Sequence, residues 1–167
     1  MLRFAIKQSL MISVMVLFFS AKALAVASCA PGVMTELGPE WPGDSHFYEV
    51  VVTCTAAANG QLGVTLNATT MAQLAGKWTH TITNYPGAPA MTIGAEVEIR
   101  DSLGRKVLSS AGNGNDFIVV SGAKTVFPTS PSGSGDYLAN PAYPWTIYVE
   151  NSIVSGGVVN FIFTLFK

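Results

Sequence analysis

The chain has 167 residues, 49% of them hydrophobic and only 11% charged, with nine Lys and Arg against ten Asp and Glu. That balance, with no basic stripe, argues against nucleic acid or an anionic membrane surface as partner. Abundant Thr, Ser, Gly, Val and Ala suit a sheet-built protein, and helix-favouring runs of Leu, Glu, Lys and Arg are missing.

Residues 1–25 read as a signal peptide. Arg3 and Lys7 make a positive start, Leu10 to Phe19 an apolar core, and Ala23-Leu24-Ala25 the small-residue pattern before cleavage. An apolar run of about ten residues is too short to cross a bilayer as a helix, and no later stretch is long enough. The mature chain is therefore expected to be exported, to the periplasm, the cell surface or the medium, with no transmembrane span. Removing 1–25 leaves residues 26–167, a size that suits one domain with one core. The cut also removes Arg3, Lys7 and Lys22, leaving six bases against ten acids and a net charge of −4.

Cys29 and Cys54 are the two cysteines. In an oxidising compartment they are expected to form a disulfide, closing a loop worth about 3 kcal/mol in the chain-entropy model. The competing reading takes Val26-Ala27-Ser28-Cys29 as a lipobox, making Cys29 a lipid anchor and leaving Cys54 unpaired.

In chain order, the Pro and Gly residues between Cys29 and Ser45 allow only a short strand at Val33 to Leu37. His46 to Thr55 is the first strong strand, with Tyr48, Val50, Val52 and Cys54 as its core face. Ala58-Asn59-Gly60-Gln61 is a hairpin signal of type I′, and the strand after it places Leu62, Val64 and Leu66 together. Met71 to Gly76 reads as a helical turn. Trp78 to Asn84 alternates, with Trp78, His80 and Ile82 opposite Thr79, Thr81 and Thr83; Tyr85 to Pro89 is a rigid loop.

Ala95 to Leu108 is the clearest hairpin. Ala95, Val97 and Ile99 turn inward, Glu96, Glu98 and Arg100 form a wet charged face, and Asp101 to Gly104 makes the turn. A polar loop at Ala111 to Asp116 leads into a short strand, Phe117 to Val120, and Thr129 to Asp136 is linker-like. Trp145 to Glu150 turns Trp145, Ile147 and Val149 to one side. Val158 to Phe166 closes the chain with Val159, Phe161, Phe163 and Leu165 on one face. Eight to ten strands at this spacing predict an all-β fold, an antiparallel β-sandwich of Ig-like or jelly-roll-like kind.

The succession Ala57 to Gly60, Thr83 to Ala90, Glu98 to Leu108 and the closing Gly156 to Lys167 resembles a small β-sandwich module of tailed-phage and prophage structural proteins. That resemblance implies a structural part without catalysis. A signal peptide, an N-terminal disulfide and a final strand of alternating aromatics are also similar to secreted pilin or adhesin subunits of Gram-negative bacteria.

Reactive groups are sparse. Gly43-Asp44-Ser45 matches the start of one hydrolase block but lacks the strand-to-helix elbow that chemistry needs, and reads as a turn. His46 and His80 are too few for a zinc site, and Glu96 and Glu98 read as solvated charges. Asn113, Asn115 and Asp116 read as a loop rather than a calcium site. Asn67-Ala68-Thr69 is a formal glycosylation sequon. No catalytic residue, metal or cofactor is expected.

Trp41, Tyr137, Tyr143 and Trp145 lie in or beside Pro- and Gly-rich loops and form a candidate platform for a ligand or partner; the bland alternative puts Trp78 and Trp145 in the core. The leading expectation is a secreted, non-enzymatic structural or interaction protein, a surface, fimbrial or virion-like assembly subunit that meets a protein partner or self-assembles. The alternatives are a small carbohydrate- or ligand-binding β-sandwich and a lipoprotein anchored through Cys29.

Overall fold

The computed structural model describes residues 26–38, 46–108, 116–128 and 143–167; the signal-peptide reading of residues 1–25 lies outside them. The strands are β1 (Ser28–Cys29), β2 (Val33–Gly38), β3 (Phe47–Thr55), β4 (Leu62–Thr65), β5 (Trp78–Pro86), β6 (Glu96–Asp101), β7 (Lys106–Leu108), β8 (Lys124–Val126), β9 (Trp145–Glu150) and β10 (Val158–Phe166). One helix, α1 (Ala68–Leu74), stands between β4 and β5.

They make two antiparallel sheets. Sheet I runs β1-β3-β10-β5-β8, with β2 alongside the same strand β3; sheet II runs β4-β9-β6-β7. The ladders nest: β6 pairs with β7, β5 with β8, β4 with β9 and β3 with β10. A long antiparallel ribbon wrapped this way, so that β10 also meets β5 and β9 meets β6, is a jelly roll.

The core lies between the sheets, and alternation builds it. Val50, Val52 and Cys54 of β3 and Val159, Phe161, Phe163 and Leu165 of β10 are fully buried against Leu62, Val97, Ile99, Trp145, Ile147 and Val149 of sheet II. The rings of Trp145 and Phe163 sit 5.9 Å apart across this layer. Cys29 and Cys54 are direct partners in the β1–β3 ladder, and they form the disulfide. That bond engages the Cys29 sulfur that a lipid anchor would need.

Three local expectations are corrected. The Asn59-Gly60 turn is not a type I′ hairpin: only Gly60 of the pair has a positive φ (+83°), and β3 and β4 lie in different sheets. Asn59 instead accepts the Gln61 N–H, and a Cβ at position 60 would stand 2.6 Å from the Ser152 carbonyl oxygen. In β5 the alternation changes phase, because Thr81 faces Thr164 while Thr79 faces Leu165. This bulge at His80 buries Thr79 and turns Trp78 outward with His80, away from Ile82. Phe117 to Val120 is buried at its start but irregular, held by Asn84 rather than by a ladder, and the strand forms later, as β8.

α1 starts at Ala68, ahead of the turn expected at Met71 to Gly76, and the Asn67 side chain caps it by accepting the Thr70 N–H at 2.8 Å. The sequon asparagine is thus the N-cap of a helix that packs against β3 and bonds the backbone of Gly32.

Candidate functional site

With the core packed between the sheets, chemistry is left to their outer faces. On sheet I, positions opposite in the ladders put Phe47, Phe166 and Trp78 in one row across three adjacent strands. The Phe47 and Phe166 rings lie 6.3 Å apart. The bulge delivers His80 to the same place, edge-on to Phe166 at 6.4 Å and 5.5 Å from Phe127. Trp78 and Phe127 are 41% and 40% exposed. Beside this patch, Val51, Ile162 and Thr83 continue the face, and the Thr83 and Thr125 hydroxyls are bonded at 2.7 Å. Five rings on one open face form an apolar patch of the kind that marks contact sites.

On sheet II, Gly63, Tyr148 and Glu98 form one row and Thr65, Thr146, Arg100 and Lys106 the next. A Cβ at Gly63 would stand 3.7 Å from the Tyr148 ring, an ordinary contact, so the ring does not require glycine there. The Arg100 guanidinium lies 5.7 Å from the ring centre. A hollow of about 320 Å³ opens beside this ring, lined in part by Asn59, Gln61, Gly63, Tyr148 and Glu150. Glu98 was expected to be solvated. It is nearly buried, accepting from Arg100 and from Lys106 at 3.0 Å. Burial alone would raise its pKa, but these two cations outweigh that and hold it below the ordinary carboxylate value. Asp101 behaves alike: burial pushes upward, and the backbone and guanidinium of Arg105 with the Leu103 N–H bring it below its usual value.

Of the four platform aromatics, Trp41 and Tyr137 lie outside the described residues. Tyr143 is exposed, with the Arg105 guanidinium 5.4 Å from its ring centre, at the rim of an apolar hollow of about 440 Å³ lined by Leu66, Met71, Ala72, Ala75 and Pro144. Trp145 is 1% exposed and cannot offer its ring to a partner. It opens β9 on the inward phase, whereas Tyr143 precedes the strand. The structure therefore does not bring these two together as one surface.

The two histidines have different neighbours. His46 Nδ1 contacts Glu36 at 2.7 Å, and His80 belongs to the ring patch. Glu96 faces Glu150, one row from Glu98. Asn113, Asn115 and Ser45 lie outside the described residues; Asp116 takes a positive φ, and its carbonyl accepts from Lys124 Nζ at 2.7 Å. Among the described residues no three His, Cys, Asp or Glu side chains converge on a metal position.

No protein-family model, curated protein or solved structure matches this chain. Function must be read from its surfaces.

The ring patch of sheet I was not anticipated. Phe47 and Phe166 each sit opposite the core phase of their strand, which is a signal readable in sequence. Trp78 and Phe127 join them only through the bulge and the β5–β8 pairing.

Proposed function

We propose that this chain is an exported, non-enzymatic structural or interaction protein, an assembly subunit of the surface, fimbrial or virion-like type. The observation that carries this is the outer face of sheet I, where Phe47, Phe166, Trp78, His80 and Phe127 lie together. Burying such rings against another surface gains about 1.5–3 kcal/mol per fully covered side chain. A disulfide-stapled sandwich supplies a rigid support for that face, and a disulfide suits an oxidising, exported setting.

The test is light scattering on residues 26–167 under oxidising conditions. Concentration-dependent assembly is expected, and the double variant Trp78→Ser/Phe127→Ser should weaken it about ten-fold or more. A strict monomer at all concentrations overturns the assembly reading.

A second reading has its own support. The hollow beside Tyr148 combines an aromatic ring with the amides of Asn59 and Gln61 and the carboxylate of Glu150, a combination suited to a sugar. Calorimetric titration with oligosaccharides should then give heat that Tyr148→Ala abolishes; no heat with any sugar removes this reading.

A further inference from the structure

The edge of sheet I is open at β2. Every residue from Val33 to Leu37 is exposed, and among the described strands β3 is its sole partner. The Ala30 N–H donates to the Thr53 carbonyl, so the odd positions of β3 point their backbone groups at this edge. Val33 and Thr35, opposite Val51 and Glu49, therefore spend their N–H and C=O groups on β3. Those of Gly32, Met34 and Glu36 point away from it.

Gly32 is already sealed. Its N–H donates to Thr70 Oγ1 at 2.7 Å and its carbonyl accepts from Gln73 Nε2 at 2.8 Å, both from α1. The open template is thus the N–H and C=O of Met34 and of Glu36. No Lys, Arg or Pro lies within β2 to guard it.

We propose that β2 pairs with β2 of a second copy of this chain, antiparallel about a twofold axis through Thr35. In that register Met34 of each copy exchanges both backbone hydrogen bonds with Glu36 of the other, and all four open groups are used. Thr35 faces Thr35, Val33 faces Leu37, and each Glu36 faces a methionine. Neighbouring registers fail on the same observations. An axis at Glu36 sets two carboxylates face to face. An axis at Met34 sets Glu36 against Gly32, whose backbone groups α1 has taken. This self-complementarity favours a second copy over an unrelated strand. It names a partner for the assembly proposed above, but rests on different residues from the ring patch.

Two double variants at exposed positions test it: Val33→Lys/Leu37→Lys and Val33→Glu/Leu37→Glu, each in the mature chain, followed by sedimentation velocity. The parent chain should show a species of twice the monomer mass. Each charged variant alone should dimerise about ten-fold more weakly or worse, because like charges then face each other. An equal mixture of the two should restore the dimer. A parent chain that stays monomeric, a dimer indifferent to either charged variant, or a mixture that fails to recover overturns the proposal. Running Trp78→Ser/Phe127→Ser beside them separates the two ideas. Assembly lost only in that variant overturns the edge pairing and leaves the ring-face reading standing; assembly lost only in the charged variants does the reverse.

Discussion

Glu98 and Lys106 meet at 3.0 Å across the β6–β7 hairpin, although alternation assigns Glu98 to the solvent face. Arg100, from the same strand, closes over the carboxylate from the other side. Because the folded-state pKa is depressed, this group stabilises the protein fully above its ordinary value of about 4.5 and loses that contribution as pH falls through the lower folded value. Acid unfolding of Glu98→Gln should therefore show a shallower loss of stability below that pH than the parent. At pH 7 the variant should be less stable by about 1–3 kcal/mol in denaturant titration. Equal acid limbs would mean the carboxylate is not held this way.

Thr79 is fully buried opposite Leu165, and among the described residues its hydroxyl has no hydrogen-bond partner. Thr79→Val removes an unsatisfied polar group without changing the branching at Cβ. The melting temperature should stay level or rise, with a gain of up to about 1 kcal/mol. A clear loss would show that the hydroxyl is bonded after all.

Asn84 ties the irregular segment after Asp116 to β5. Its amide donates to the Phe117 and Lys124 carbonyls at 2.6 and 3.3 Å, and its side-chain oxygen accepts the Val119 N–H at 3.2 Å. Asn84→Leu should cost about 2–4 kcal/mol, since buried backbone groups lose their partners. Hydrogen exchange should quicken at residues 117–126 more than in β3 or β10. Uniform quickening throughout would instead point to a general loss of packing.

The Cys29–Cys54 bond closes a 25-residue separation and pins β1 to β3. Reduction, or the pair Cys29→Ala/Cys54→Ala, should lower stability by about 3 kcal/mol in chemical denaturation. An unchanged midpoint would mean that the β1 pairing alone fixes this segment.

Much of the sandwich is legible in the sequence, because a half-buried strand writes its burial as a period of two. Val50, Val52 and Cys54, then Phe161, Phe163 and Leu165, are read as core from alternation and are buried. Gly104 marks the β6–β7 turn through its positive φ. Two cysteines in a chain read as exported made their pairing the simplest account.

What sequence could not decide is what depends on neighbours far along the chain. Thr79 is buried and Trp78 exposed because a bulge against β10 shifts the phase, and nothing local to WTHTITN encodes it. Glu98 is buried because Lys106 and Arg100 close over it, which only the folded hairpin brings about. The ring patch joins residues 47, 78, 80, 127 and 166 through the nested ladders, and the open edge at Met34 and Glu36 exists because α1 seals Gly32 alone. Periodicity fixes which face of each strand is apolar; topology decides which apolar faces meet each other and which are left for something else.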